Sequence, residues 1–336
     1  YHGIPHLMNQ AEGDFTGIHI VWQHPLISAG WRKAKYLDNP MVKAETPSKN
    51  PVGDWVETKN TLYRMSFGGA VKGKPLVVSE TNSPFPNSHQ SEYPLLLAAY
   101  GSLQDWDGII FHQYLYHPER LGHGKIDAYF TIANNPAILS QMPTASRLFR
   151  EGRVRQADSE SVVHYSEKEA FDSLLNCGIN IHCTYENLGV DPHLVYTQKV
   201  RNEFQKGPQP KDKPKNPFTA NDGGLKWDIN QGLATIKTDK TEAMIGFTGG
   251  RTIDLGAMKV TSRSNFSSIS VTSLDDKKIE ESNRLLLVTA GTAKNTDMTI
   301  RIASDGFNKI EDWGKKPVLC EPVPARINLR LAGSRD

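Results

Sequence analysis

The feature that most constrains the fold is a set of three short apolar runs in the first part of the chain, each ending in polar or aromatic residues. The runs cover residues 15–22, 75–80 and 108–114. Apolar runs of this length are typical of parallel strands, because such strands are buried on both faces. Helical patterns separate and follow them, over residues 54–65, 91–104 and 136–150. The region therefore predicts consecutive β/α units.

The clearest helix is the one predicted over residues 91–104. Ser91 can cap its first turn, and Pro94 falls inside that turn, where a missing N–H costs nothing. An apolar stripe at helical spacing then follows, formed by Leu95, Ala98, Ala99 and Leu103. A strand, this helix and another strand follow one another, which is the order of a parallel β/α unit.

The pattern changes in the second half of the chain. Residues 162–165 resemble a strand and 167–175 a helix, and then residues 206–217 carry four prolines and four lysines. Such a segment predicts an exposed loop. Short alternating strands follow at 233–238, 268–272, 284–289 and 325–331, as in an antiparallel β-sandwich. We therefore divide the chain into 1–152, a connecting segment 153–217, and a β-sandwich domain 218–336.

Composition excludes several functional classes. With 39 basic and 37 acidic residues the chain has a net charge of +2, so we expect no nucleic-acid partner. No apolar stretch approaches 18 residues, so we expect no membrane span. The chain opens without an initiator Met or a signal peptide, which suggests a piece cut from something longer.

The three cysteines are too few for a disulfide framework or a zinc site. Cys177 and Cys183 could pair locally, but free, partly buried thiols are the favoured interpretation, and Cys320 stands alone.

Glu80 is the candidate catalytic residue. It ends the second apolar run and is followed by Asn82 and a proline-rich loop. In a parallel barrel the carboxyl ends of the strands face the active site, so an acid there indicates catalysis. A strand-end glutamate can also cap a helix or pair with a lysine, and spacing alone does not decide between these roles.

The segments that follow Glu80 carry a resemblance. Residues 92–100 (EYPLLLAAY) and 104–111 (QDWDGIIF) resemble the seventh and eighth units of the barrel superfamily of retaining glycosidases that includes β-galactosidases and cellulases. The resemblance implies the C-terminal portion of a (β/α)₈ (TIM) barrel, with residues 15–22 as its sixth strand and Glu80 as the nucleophile. Residues 273–275, 283–287 and 295–296 are similar to β-sandwich domains that follow such barrels in bacterial members. A secreted or periplasmic bacterial protein is the implied setting.

Retaining hydrolysis needs a second carboxylate, the acid/base, about 5 Å from the nucleophile. In this superfamily that glutamate follows an asparagine at the end of the fourth strand. Here the only Asn-Glu pair is Asn202-Glu203, far downstream of Glu80. We therefore expect the acid to be absent from this chain, which would need the N-terminal half of the barrel or a partner chain and be inactive alone. Glu92 and Asp107 are the other carboxylates to consider.

Several residues could bind the sugar. His19 and His24 flank Trp22, whose ring could cover a sugar face, and Asn82, His112 and Tyr114 lie at the ends of the other two runs. A structural histidine pair is the alternative for the first two. The spacing of His112, His117 and His123 matches no standard metal pattern, so we expect neither metal nor cofactor.

The leading hypothesis is thus a retaining glycoside hydrolase acting on a poly- or oligosaccharide. The alternatives are a non-catalytic carbohydrate-binding protein, or an assembly subunit whose half-barrel is covered by a partner.

Overall fold

The computed structural model describes residues 3–26, 34–43, 61–116, 118–120, 122–178, 180–304 and 306–333, with backbone only for His182 and Asp222. The chain is a mixture of helix and sheet that includes an antiparallel sheet. No helix in these ranges is long and apolar enough to cross a membrane.

The α-helices are α1 (Ile4–Gln10), α2 (Thr61–Gly69), α3 (Tyr93–Leu103), α4 (Pro136–Leu139), α5 (Met142–Arg150), α6 (Glu167–Cys177) and α7 (Ile181–Leu188). The strands are β1 (Thr16–His19), β2 (Lys35–Tyr36), β3 (Leu76–Thr81), β4 (Gly108–Phe111), β5 (Glu160–His164), β6 (Lys199–Glu203), β7 (Phe218–Ala220), β8 (Leu225–Asp228), β9 (Leu233–Lys237), β10 (Thr241–Gly246), β11 (Thr252–Asp254), β12 (Met258–Ser262), β13 (Ser267–Ser273), β14 (Leu285–Ala290), β15 (Ala293–Thr296), β16 (Thr299–Ile302), β17 (Asn308–Asp312), β18 (Lys315–Cys320) and β19 (Ala325–Leu329).

The three apolar runs form a parallel sheet in the order β1-β3-β4. One face of this sheet packs against helices: Ile18, Leu76 and Val78 are buried there in the main apolar cluster. A Cβ at Gly69 of α2 would lie 2.9 Å from Leu76 Cδ1, so glycine is what permits this close approach of helix and sheet.

The opposite face of the parallel sheet is uncovered in the described structure. His19 and Ser79 are exposed there, and Ile110 of β4 is 54% exposed. Parallel sheets are normally covered on both faces. No described strand pairs with the outer edge of β1, where Gln10 Oε1 instead accepts a hydrogen bond from the Gly17 amide (2.9 Å). A cavity of about 570 Å³ lies along this edge, between α1 and β1.

Two predicted helices have different limits in the structure. The helix predicted at 91–104 begins as a 3₁₀ turn (Gln90–Glu92) and continues as α3. Ser91 does not cap it, because Ser91 lies inside the 3₁₀ turn and not before the first helical residue. Its buried hydroxyl instead accepts a hydrogen bond from Ser268 Oγ. The helix predicted at 136–150 is divided into α4 and α5, and between them Gln141 donates to the Ser268 carbonyl (3.1 Å). Of the helix predicted at 54–65, residues 54–60 lie outside the described residues, and α2 continues to Gly69.

The second half of the chain is dominated by an antiparallel sheet of six strands in the order β14-β13-β10-β9-β8-β7. Every residue of β10 and β13 is buried, because both faces of this sheet are covered. Met244 and Ile269 pack on one face against Val260 of a three-stranded sheet, β11-β12-β19. The other face packs toward α3, where the rings of Tyr100 and Trp227 lie 5.1 Å apart.

One continuous core joins the parallel sheet to the six-stranded sheet. Trp227 of β8 is fully buried, and its indole N–H donates to the Val42 carbonyl (2.9 Å). Ala243 and Ile245 of β10 belong to the same cluster as Leu76 and Val78 of β3. The residues on either side of the segment 153–217 are therefore packed as one unit.

Between them, β5 and β6 form a two-stranded parallel sheet with α6 and α7 in the connection. Residues 206–216 contain neither helix nor strand and are mostly exposed, which confirms the predicted loop.

The favoured interpretation of Cys177 and Cys183 as free thiols is wrong. The two residues form a disulfide with a Cα–Cα distance of 5.6 Å. Cys177 ends α6 and Cys183 lies in the first turn of α7, so the short connection between the helices brings the two side chains together. Cys320 is free and exposed.

Candidate functional site

Glu80 lies near the carboxyl end of β3, the central strand of the parallel sheet. The pairing of β1 with β3 is irregular at this point: Ile18 lies opposite Val78, and the next residue, His19, lies opposite Glu80. A bulge of this kind re-aims a side chain. Ser79 is exposed, the Glu80 side chain is 27% exposed, and Thr81 is buried again, so Glu80 is accessible from the open face.

Among the described residues, His19 forms the closest ion-pair contact with Glu80. Its Nε2 lies 2.9 Å from Glu80 Oε1. Partial burial lowers the pKa of His19, although the Glu80 carboxylate opposes this change. At neutral pH the imidazole is therefore uncharged, and with its proton on Nε2 it donates a hydrogen bond to the carboxylate. This hydrogen bond holds the Glu80 carboxylate in a fixed position beside the imidazole.

His112 approaches the same oxygen of Glu80 from β4, with its Nε2 at 3.6 Å. Asn82 fixes this histidine, because its Nδ2 donates to the carbonyls of His112 (2.6 Å) and Phe130 (2.7 Å). Asn82 was expected to bind the sugar, but it is 1% exposed and ties the ends of two strands together. Its role in the site is to position other groups.

Trp22 also differs from its predicted role as a sugar platform. Its ring is 1% exposed, and its indole N–H donates to the Asn39 carbonyl (2.9 Å). Burial in the core makes both ring faces unavailable to a sugar. His24, the other histidine that flanks Trp22 in sequence, is exposed, with Nδ1 2.7 Å from the Pro25 carbonyl.

Phe130 is a part of the site that the sequence did not indicate. Its ring centroid lies 5.2 Å from that of His24 and 5.6 Å from that of His112. The phenyl ring thus supports two imidazoles from different segments. No motif surrounds Phe130 in the sequence, so only the folded structure reveals this contact.

Tyr114 lies just beyond β4 with its ring 58% exposed. Its backbone is fixed, because its carbonyl accepts a hydrogen bond from the Ala133 amide (2.8 Å). An exposed ring on a fixed backbone can contact a bound sugar. His117 lies outside the described residues, and no group of metal-ligating side chains occurs within the described ranges.

Two of the carboxylates considered as the acid/base lie at the amino end of β3, whereas Glu80 lies near its carboxyl end. Asp107 Oδ2 accepts from the Leu76 amide (2.9 Å), at the amino end of β3. Glu203 binds Lys72 Nζ (3.1 Å), in the turn that leads into the same end. Leu76 and Glu80 are about 13 Å apart along the strand, far more than the roughly 5 Å that a retaining pair requires.

Glu92 is excluded for a different reason. Its side chain is 2% exposed, and its two oxygens accept hydrogen bonds from the backbone amides of Met41 (2.5 Å) and Val42 (3.0 Å). Burial raises the pKa of Glu92 to about 8, although these two hydrogen bonds oppose the shift. Glu92 therefore anchors the segment around Met41 to α3, and a sugar cannot reach it.

The buried Glu92 makes stability depend on pH. The pKa of Glu92 is about 8 in the folded protein and near the ordinary value of 4.5 in the unfolded chain. Between pH 4.5 and about 8, Glu92 is therefore protonated in the folded protein and ionised in the unfolded chain. The free energy of unfolding should therefore fall as pH rises from about 6 to 8, by roughly 2 kcal/mol from this group. Urea unfolding across this range measures the fall.

The Glu92→Gln variant should be less stable at pH 5, because its amide donor faces a backbone N–H, but should show a much flatter pH dependence. Glu311→Gln, on the exposed face of β17, is the matched control and should keep the full slope. An unchanged slope in Glu92→Gln would mean that other groups cause the dependence.

The assembled site is the accessible Glu80 carboxylate with the imidazoles of His19 and His112 near one of its oxygens. The exposed Tyr114 follows His112 by two residues. Such a carboxylate can attack an electrophilic carbon as a nucleophile. The Glu80 carboxylate is the acidic group named among the causes that set the pKa of His19, and it raises that pKa. Comparisons of the chain with known protein families, with curated proteins and with solved structures found no match.

Proposed function

We propose that this chain carries the nucleophile half of a retaining glycoside hydrolase that acts on a poly- or oligosaccharide. The observation that carries the proposal is the position of Glu80. It is an accessible carboxylate at the carboxyl end of the central parallel strand, with His19 donating to it at 2.9 Å. A retaining glycosidase needs such a group to attack the anomeric carbon and form the glycosyl-enzyme.

The finer fold assignment is part of the same proposal. The parallel sheet β1-β3-β4 would supply the sixth, seventh and eighth strands of a (β/α)₈ barrel, and the strands after residue 218 would form the β-sandwich domain. The open outer edge of β1 and the uncovered face of the sheet support this assignment, since both would be covered in a closed barrel.

The missing acid/base would then come from further polypeptide, either an N-terminal half of the barrel or a partner chain. A carboxylic acid placed opposite Glu80, across the uncovered face, would protonate the leaving group. The disulfide between Cys177 and Cys183 fits a secreted or periplasmic protein, because such bonds persist in oxidising compartments.

A carbohydrate-binding protein without activity is the second candidate. The positions of Asp107, Glu203 and Glu92, none of which lies beside Glu80, favour it, because a site with one carboxylate can bind a sugar but cannot complete the two-step mechanism. The glycoside hydrolase would hydrolyse a glycoside, whereas the binding protein would bind it without hydrolysis.

The stereochemistry of hydrolysis tests the leading proposal. The intact protein, incubated with a panel of aryl glycosides, should release a sugar whose first-formed anomer has the configuration of the substrate, because two successive displacements restore it. Proton NMR during the first minutes separates retention from inversion before mutarotation. An inverted first product would contradict a nucleophilic Glu80, and binding without any hydrolysis would favour the second candidate.

A further inference from the structure

A second feature lies on the three-stranded sheet β11-β12-β19, on the face that points away from the apolar cluster. Side chains alternate across this sheet: Val260 and Ile327 face inward against the six-stranded sheet, whereas Thr261 and Arg326 face outward. Thr261 and Arg326 are direct partners in the antiparallel register, so their side chains lie side by side.

A cavity of about 430 Å³ lies on this outer face, lined by Thr261, Arg263, Pro324, Ala325 and Arg326. Both arginines are exposed, and neither guanidinium has a hydrogen bond or an ion pair within the described structure. Most of the arginines that the structure describes do have such partners; Arg330, on the same face, binds Asp254 (2.9 Å). Two unpaired guanidinium groups in one concavity form a site for an anion.

The basic character continues along the sheet. The outward positions of β12 and the residue after it are Lys259, Thr261 and Arg263, and those of β19 and the residue after it are Arg326, Asn328 and Arg330. The row from Lys259 to Arg263 is about 14 Å long. Asp254 is the acid that the register places opposite Lys259, and Arg330 already binds it. The face therefore presents a positive track with hydroxyl and amide groups between the charges.

We propose that this face binds an acidic polysaccharide, one that carries carboxylate groups along its chain. The planar guanidinium fork matches a carboxylate, and Thr261 and Asn328 can bond sugar hydroxyls. None of the large apolar side chains that are exposed in the described structure lies on β11, β12 or β19, so no ring is available to stack nucleic-acid bases. The choice of a polysaccharide among polyanions rests on the proposed function.

The test is a binding measurement that needs no turnover, so its result is independent of Glu80. Polygalacturonate is the probe, with its fully methyl-esterified form and neutral dextran as comparisons, in affinity electrophoresis or calorimetry at low and high salt. Wild-type protein should bind polygalacturonate but neither the methyl-esterified polymer nor dextran. Its affinity for polygalacturonate should be lower at high salt. The Arg263→Gln, Arg326→Gln double variant should lose at least about ten-fold in affinity.

The matched control is the double variant Arg284→Gln, Lys294→Gln, which also removes two positive charges. Arg284 is exposed immediately before β14, and Lys294 is exposed on β15. The affinity of this control for polygalacturonate should lie within about two-fold of the wild-type affinity, because the cavity is intact. Circular dichroism establishes that both variants fold. No binding of wild type to polygalacturonate, an equal loss in the control, or equally tight binding of single-stranded DNA to the same arginines would overturn the proposal.

Discussion

Replacing Glu80 with glutamine in the intact protein is expected to lower kcat/KM for an aryl glycoside by about 10⁴-fold or more. Glutamine has the same shape and keeps a hydrogen-bonding oxygen near His19, which lies 2.9 Å away. It cannot form the glycosyl-enzyme, however, because a neutral amide is a very weak nucleophile. The loss should appear in kcat rather than in KM, since the ground-state contacts with the sugar remain.

Glu12→Gln is the control for this variant. Glu12 is an exposed glutamate two residues after the end of α1, so its replacement removes one negative charge without touching the candidate site. It should keep wild-type turnover. Near-normal turnover in Glu80→Gln, with thermal unfolding unchanged, would remove Glu80 from the mechanism.

The second large effect concerns the 336-residue chain by itself, which should hydrolyse no aryl glycoside. Asp107 and Glu203 lie at the amino end of β3, and Glu92 is buried on backbone amides. None can protonate a leaving group beside Glu80. The uncovered face and the open edge of β1 should also make the isolated chain prone to association.

Light scattering and an activity assay on one preparation measure both consequences. We expect aggregation or self-association without turnover, and recovery of a soluble, active protein when the rest of the proposed barrel is supplied. A monomer of this chain that cleaves an aryl glycoside would contradict both the incomplete barrel and the missing acid.

Only some of the strands could be predicted from the sequence, namely those with a strong local signal. The predicted runs contain β1, β3, β4, β5, β9, β13, β14 and β19, whereas the other strands, such as β10 and β12, were not predicted. Three apolar runs form β1, β3 and β4, and the switch to short alternating strands marks the antiparallel sheet. The division of the helix predicted at 136–150 has a local signal that the prediction overlooked, because Pro143 lies in the first turn of α5 and cannot donate within a longer helix. The contact between Gln141 and Ser268 at the same point could not be predicted, because these residues are distant in sequence. The continuous core through Trp227 depends on similar long-range packing.

The candidate site, too, could be predicted from the sequence only in part. The position of Glu80 at a strand end follows from its run of apolar residues, but the irregular register that brings His19 opposite it does not. Trp22 lies beside two histidines in sequence and yet turns into the core, because the Asn39 carbonyl accepts its indole N–H. Sequence indicates which residue types are near a strand end, whereas the bulge and the partners decide where each side chain points.

Azide rescue of Glu80→Ala in the intact protein is the most direct test of Glu80 as the nucleophile. Alanine leaves space beside the anomeric carbon, and azide can attack there once the acid/base has assisted departure of an activated aryl group. Because azide enters from the side that the carboxylate occupied, the expected product is a glycosyl azide of inverted configuration. Its formation, with turnover that rises with azide concentration, is the result that we expect. A glycosyl azide of retained configuration, or no rescue from a folded variant that still binds the substrate, would contradict the assignment of Glu80 as the nucleophile.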